Sequence, residues 1–155
     1  MKKKLIVLEL FICIVAFCTA KERHQSFIKL FFKDQNYKTD VYYFDNTEIF
    51  FSYVYADDST DIITKGIFYS YIENEFKKIL VIENEKIYND SKILFQGIIK
   101  TQQFYGYKIR ISEKTKSIVT DFYTNKGKNV TEGPTFIWDS KEQSFYKYEI
   151  DPSEY

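Results

Sequence analysis

Three aspartates in one short segment are the first residues that could carry chemistry. Asp57, Asp58 and Asp61 stand in the sequence ADDSTD. A calcium ion takes about six to eight oxygen ligands, and a group of carboxylates can begin such a shell. The segment lacks the spacing and the glycine of an EF-hand loop, so a solvated turn is the preferred interpretation. A metal site at these aspartates remains the weaker alternative.

Four glutamates form a second group of carboxylates, at Glu73, Glu75, Glu83 and Glu85. Glycoside hydrolysis needs two carboxyl groups that face each other across a cleft. Spacing along the chain does not give that distance, and glutamates are common in turns. A carboxylate-based hydrolase is therefore the lowest-ranked functional hypothesis.

Histidine and cysteine chemistry is nearly excluded by the composition. His24 is the only histidine, which leaves no multi-histidine metal site and makes a Ser-His-Asp triad untenable. Cys13 and Cys18 are the only cysteines, so the chain after residue 20 has no disulfide, thiol nucleophile or thiolate metal site. A glycine-rich phosphate loop is also missing. We expect a protein without enzymatic activity or cofactor.

Aromatic residues are the main excess, with 14 tyrosines and 15 phenylalanines. Tyrosine and tryptophan carry much of the energy of many protein interfaces, because they are large and rigid and have a polar edge. The candidate binding residues are Tyr53, Tyr55, Tyr69, Tyr71, Tyr105, Tyr107 and Trp138. The alternative is that these rings form core and half-buried surface, and for Trp138 a place in the core is preferred.

The first twenty residues have the order typical of a secretory signal peptide. Residues 2–4 are lysines, residues 5–17 are apolar except for Glu9, and Cys18 to Ala20 are small. The apolar run is shorter than the roughly 20 residues that a transmembrane helix needs.

We predict a signal peptide over residues 1–20, cleaved near Ala20, and a single exported domain over residues 21–155. The domain would work in the periplasm or the extracellular space. A lipid anchor on Cys18 is the alternative, although the bulky Phe17 before it departs from the pattern of bacterial lipoproteins.

Alternating apolar and polar residues predict β-strands along most of the remaining chain. In FYGYKIRIS, Tyr105, Tyr107, Ile109 and Ile111 share one parity. In IFFSYVY both parities are apolar or aromatic, so one face must be a second core, a cavity wall or an exposed patch. A strand is also predicted over residues 26–33. The segment 72–88 fits either strands or a helix, and strands are preferred.

Short gaps rich in Asp, Asn, Ser and Lys separate these runs and suit tight turns. About 8–11 closely spaced strands joined by such turns predict an all-β, antiparallel meander. The sheet would form a barrel, a strongly curved sheet or a sandwich.

These properties favour non-enzymatic binding of a protein or a cell-envelope component, with inhibition of a foreign hydrolase as one version. A carrier of a lipid-like ligand in a barrel cavity is the second hypothesis. The 22 basic and 22 acidic residues balance, which gives no basic excess for a nucleic acid. Membrane attachment is expected only through the signal peptide or a lipid on Cys18.

Overall fold

The computed structural model describes residues 12, 20–90, 92–97 and 101–149. The predicted signal peptide and Cys18 therefore lie outside the described residues, except for residues 12 and 20. The chain divides into two compact units, Met1–Asn36 and Tyr37–Tyr155.

In the first unit, residues 20–32 form helix α1. Ile28, Phe31 and Phe32 are buried at the spacing of one helical face, and the rings of Phe31 and Phe32 lie 4.7 Å apart. The strand predicted over residues 26–33 is wrong, because the segment is helical and its buried residues recur with the period of a helix. Lys33 then adopts a left-handed conformation at the end of the helix. None of the helices among the described residues is long and apolar enough to cross a membrane.

The described residues of the second unit form ten antiparallel strands, which confirms the all-β prediction. Segment 72–88 lies in strands and the turns between them, which confirms the preference for strands over a helix. The strands are β1 (Lys38–Phe44), β2 (Thr47–Tyr55), β3 (Ile63–Ile72), β4 (Glu75–Glu83), β5 (Lys86–Asn89), β6 (Lys92–Gln96), β7 (Phe104–Ser112), β8 (Ser117–Thr124), β9 (Asn129–Asp139) and β10 (Ser144–Tyr148).

The strands form two meanders within one sheet that curves into a nearly closed barrel. In the first meander, β1 to β6, and in the second, β7 to β10, each strand pairs with the next. The pair Ile63↔Tyr107 joins β3 to β7. Gly106 allows this approach, because a Cβ atom there would lie 2.7 Å from the carbonyl oxygen of Ile63.

The β1–β2 and β3–β4 hairpins each turn through two residues that both have positive φ angles. Asp45 and Asn46 have φ angles of 47° and 66°, and Glu73 and Asn74 have 53° and 67°. Two successive positive φ angles are the signature of a type I′ turn, whose twist matches that of antiparallel strands. These turns fix the register of β1 with β2 and of β3 with β4.

The inner faces of the two meanders share one aromatic core. Phe68 stacks on Phe51 with ring centroids 4.0 Å apart. Phe145 of the second meander contacts the rings of Phe44 and Phe68 of the first, at 5.5 and 5.8 Å, and that of Trp138 at 5.1 Å. These rings hold the two meanders together.

The middle of the opposite face of β2, β3 and β4 is also buried, which accounts for the aromatic residues on both parities of β2. Ile67 and Tyr69 are fully buried there, and the ring of Phe50 stacks on Tyr69 at 5.3 Å. The hydroxyl groups of Tyr69 and Ser52 share a hydrogen bond of 3.0 Å. The burial of Ile67 and Tyr69 contradicts an exposed patch at these two positions.

Candidate functional site: a tyrosine and aspartate cleft

An open cleft of about 200 Å³ lies between the β1–β2 hairpin and β7. Its apolar lining residues include Ile109 and Ile111. The polar and aromatic residues that line it are Asp40, Tyr42, Tyr53, Tyr55, Asp61 and Lys108. We refer to this set as the tyrosine cleft.

Strand pairing brings the tyrosine cleft together. Tyr53 and Tyr55 have the same parity as the buried Phe51, so they point to the inner face of β2. Asp40 stands directly opposite Phe51, and residues opposite each other on antiparallel strands share a face. The same alternation places Tyr42 beside Asp40.

Tyr53 is the most buried tyrosine of the cleft, with 7% of its surface exposed. Its hydroxyl donates a hydrogen bond of 2.8 Å to Oδ2 of Asp40. Burial raises the pKa of Tyr53 well above its usual range, and hydrogen bonds with Tyr55 and Asp40 raise it further. The phenol therefore stays protonated and keeps Asp40 in place.

Tyr55 is half-buried and lines the cleft. Its ring packs edge-on against Tyr53, with centroids 5.2 Å apart. The ammonium group of Lys38 lies 5.0 Å from the centroid of the Tyr55 ring, within the range of a cation–π interaction.

The ADDSTD segment supplies the carboxylate on the other side of the cleft. Asp61 forms an ion pair of 3.0 Å with Lys108 and accepts a hydrogen bond from the Ser59 hydroxyl. The pKa of Asp61 is lowered from its usual value, and the hydrogen bond from Lys108 is the largest cause. Asp58 accepts a hydrogen bond of 2.5 Å from the hydroxyl of Tyr105. Asp57 lies exposed in the same turn.

The aspartates of this segment thus contact a lysine, a serine and a tyrosine. Among the described residues, no three His, Cys, Asp or Glu side chains are close enough to hold a metal ion. The four glutamates lie at the two ends of β4: Glu73 and Glu75 at its start, Glu83 and Glu85 at its end. A strand of this length spans about 26 Å, so carboxylates at opposite ends are too far apart to flank one glycosidic bond.

The predicted binding residues fall into three environments. Tyr53 and Tyr55 line the cleft, and Tyr105 lies beside it on Asp58. Tyr71 is 43% exposed on the outer face of β3, 4.9 Å from the ring of Phe76. The members that are buried and do not line the cleft are Tyr69, Tyr107 and Trp138.

Sequence reasoning missed Asp40, Lys38 and Lys108 as members or neighbours of the cleft. Asp40 and Tyr42 share a parity in TDVYYF, which is the one signal that could have placed an aspartate next to tyrosines. Lys38 and Lys108 lie 70 positions apart in the chain, on different strands. Local sequence patterns do not predict that residues so far apart come together.

A larger open groove of about 770 Å³ lies where the barrel stops short of closing. Ile93 and Leu94 of β6 line one part, and Phe145 and Tyr146 of β10 another. Both acidic and basic residues line it, and Lys92 is one of the basic residues. It gathers fewer of the predicted aromatic residues than the tyrosine cleft.

Comparison with known proteins gives no relative: the chain matches no family model, no curated protein and no solved structure. Function must therefore be argued from the site rather than from the fold. The tyrosine cleft offers ring faces, hydroxyl groups and carboxylates in fixed positions, an arrangement suited to recognition.

Proposed function

We propose that this protein is an exported, non-enzymatic binding module whose tyrosine cleft contacts a protein or a cell-envelope component. The observation that carries the proposal is the convergence of Tyr42, Tyr53 and Tyr55 with Asp40 and Asp61 in one open cleft. Tyrosine gives a large contact area at a low cost in side-chain entropy.

The cleft is held in shape before any ligand arrives. Tyr53 is fixed by its bond to Asp40 and by its stacking on Phe51, at 4.8 Å between centroids. Asp61 is fixed by Lys108 and Ser59. A site whose side chains are already ordered loses less entropy on binding, and this favours recognition of a specific ligand.

The packed interior supports binding at the surface over carriage of a ligand inside the barrel. Rings of both meanders are in contact across the core, among them Phe68 and Phe145. The core between the described parts of the meanders is filled by sixteen buried side chains in one cluster. A lipid-like ligand needs an apolar cavity of several hundred Å³, on the order of 300 to 1,000 Å³.

The test compares two tyrosine variants of the full chain. Tyr55→Ser removes a ring from the cleft, whereas Tyr71→Ser removes an exposed ring on the opposite face of the first meander and serves as the matched control. Each immobilised protein is exposed to peptidoglycan, to phospholipid vesicles and to purified exported proteins. We expect at least one ligand to bind the native chain and the control and to bind Tyr55→Ser about tenfold more weakly.

If Tyr55→Ser and Tyr71→Ser retained every ligand equally well, the binding surface would lie outside the tyrosine cleft. Conversion of a ligand into products by the native chain, and not by Asp40→Asn or Asp61→Asn, would replace the proposal with an enzymatic function. Circular dichroism of each variant verifies that the β-sheet signal is retained.

A further inference from the structure

Lys38, a neighbour of the tyrosine cleft, and Lys108, a member of it, each contact a different kind of group in the cleft. The ammonium of Lys38 lies over the ring of Tyr55 at 5.0 Å. The ammonium of Lys108 pairs with the carboxylate of Asp61 at 3.0 Å. The cleft therefore offers an aromatic face and a carboxylate, the two kinds of group with which proteins contact an alkylammonium group.

The charges of the lining residues agree with this preference. Asp40 and Asp61 contribute two negative charges and Lys108 contributes one positive charge, which leaves one negative charge on the lining. Lys38 balances that charge from outside the lining. Removal of Lys38 leaves an unbalanced negative charge beside an accessible aromatic ring.

We propose that the ligand group of the tyrosine cleft is the cation of a basic side chain, Lys or Arg, on a partner protein, and that this cation replaces Lys38 on the ring of Tyr55. This inference rests on the proposed binding function and specifies its chemistry. Lys38 is then an internal competitor that occupies the site in the free protein.

Lys38 is suited to leave the site. It is the first residue of β1, its side chain is exposed, and it contacts the ring through a flexible stem. An exposed cation–π contact favours the occupied state only about two- to fivefold. A partner cation that contacts both the Tyr55 ring and the carboxylate of Asp40 or Asp61 forms a cation–π contact and an ion pair together. Lys38 contributes only the cation–π contact.

Three probes separate the relevant chemistries. The first is the blocked tripeptide Gly-Lys-Gly, and the second is the same peptide with norleucine, which keeps the alkyl chain and lacks the charge. The third is tetramethylammonium, which represents a free small cation. Binding to the full chain is followed through the ring resonances of isotope-labelled tyrosines, with Tyr55 assigned by its absence in Tyr55→Leu.

We expect the lysine peptide to shift the Tyr55 resonances saturably and the norleucine peptide to leave them unchanged. Lys38→Met should bind the lysine peptide about two- to fivefold more tightly than the native chain. The control Lys114→Met, which removes an exposed lysine from the β7–β8 turn, should bind as the native chain does. Tighter binding by Lys38→Met cannot result from misfolding, which would weaken binding.

Equal binding of the lysine and norleucine peptides, or no change in Lys38→Met, would overturn the assignment of a cation. Tighter binding of tetramethylammonium than of the lysine peptide would overturn the assignment to a protein side chain. The cation assignment could fail while Tyr55→Ser still binds the macromolecular ligand more weakly than Tyr71→Ser does. In that case the proposed binding function stands and only the assignment of a cation is wrong. If Tyr55→Ser also retains that ligand, the binding function fails with it.

Discussion

Two fully buried tyrosines differ in what their hydroxyl groups contact. The hydroxyl of Tyr69 shares a hydrogen bond with Ser52, whose hydroxyl shares another, of 2.7 Å, with Thr39. The hydroxyl of Tyr107 has no hydrogen-bond partner among the described residues. A buried polar group without a partner opposes folding, whereas a paired one contributes modestly to stability.

The two Tyr→Phe substitutions should therefore have different effects. We expect Tyr69→Phe to lower the free energy of unfolding by about 1–2 kcal/mol, because Ser52 loses a buried partner. Tyr107→Phe should leave it unchanged or raise it by up to about 1 kcal/mol. Urea unfolding at neutral pH measures both values. A larger loss in Tyr107→Phe than in Tyr69→Phe would contradict this account.

The same phenols predict a loss of stability at alkaline pH. Burial raises the pKa of Tyr69 from 10.0 to about 12 and raises the pKa of Tyr107 as well. Below pH 10 the phenol is protonated in both states, so its contribution to stability is fully present. As the pH rises from 10 towards 12, the unfolded chain releases the proton before the folded chain does, and stability falls.

The free energy of unfolding should fall with a slope of up to about 1.4 kcal/mol per pH unit for each such phenol. Tyr69→Phe removes one phenol, so its curve should be shallower than that of the native chain above pH 10. Urea titrations across this range, with the exposed Tyr148→Phe as control, measure the slopes. Identical slopes for Tyr69→Phe and the native chain would show that Tyr69 does not ionise differently on unfolding.

At the scale of single elements, the β1–β2 turn depends on a left-handed backbone. Asn46 has a φ angle of 66°. Asparagine tolerates this conformation, glycine adopts it freely, and alanine is strained there by about 1–2 kcal/mol. The neighbouring Asp45 contacts Ser140 and Lys116, so this turn also touches two hairpin turns of the second meander.

Substitution of Asn46 should separate backbone strain from side-chain contacts. We expect Asn46→Gly to be at least as stable as the native chain, because glycine suits the second position of a type I′ turn. Asn46→Ala should be less stable than Asn46→Gly by about 1 kcal/mol. Thermal unfolding followed by circular dichroism compares the two. Equal stability would mean that the turn changes conformation to relieve the strain.

Local patterns predicted most strands and failed where a regular period was interrupted. Tyr105 and Tyr107 share a parity, yet Tyr107 is buried and Tyr105 reaches Asp58 at the surface. The register of β7 with β8 shifts between Phe104 and Gly106, and a bulge of this kind redirects a side chain. Helix α1 was missed because a short apolar run fits either period.

The candidate site was predictable only in part for a related reason. Tyr53 and Tyr55 follow from the aromatic excess of β2, whereas Asp40 joins them through the register of β1. Lys108 joins through the approach of β7 to the first hairpin, and that approach depends on the tertiary fold. Residue types indicated recognition chemistry, and only the structure grouped them.

At the scale of the whole molecule, Phe145 connects the two meanders. Its ring contacts Phe44 and Phe68 of the first meander and Trp138 of the second. Removal of a fully buried aromatic ring leaves a cavity as well as losing its transfer free energy. The neighbouring Tyr146 points to the opposite face and is 48% exposed.

Phe145→Ala should lower the free energy of unfolding by about 3–5 kcal/mol. Tyr146→Ala, on the same strand, should lower it by less than about 1 kcal/mol. The fluorescence of Trp138, the only tryptophan, reports the transition next to the cavity. Comparable losses in the two variants would mean that the strand β10 matters for its backbone pairing rather than for the shared core.

The pairing of β3 with β7 should influence the rate of folding. Each meander is built from neighbouring hairpins, which form on a timescale of about 1–10 μs in isolation. In the described chain the two meanders pair through Ile63↔Tyr107, two residues that lie 44 positions apart. Forming so distant a contact lowers the entropy of the chain before the contacts of the shared aromatic core offset that loss. We therefore expect docking of two preformed ribbons to limit the refolding rate, and stopped-flow refolding of Gly106→Ala to be slowed at this step.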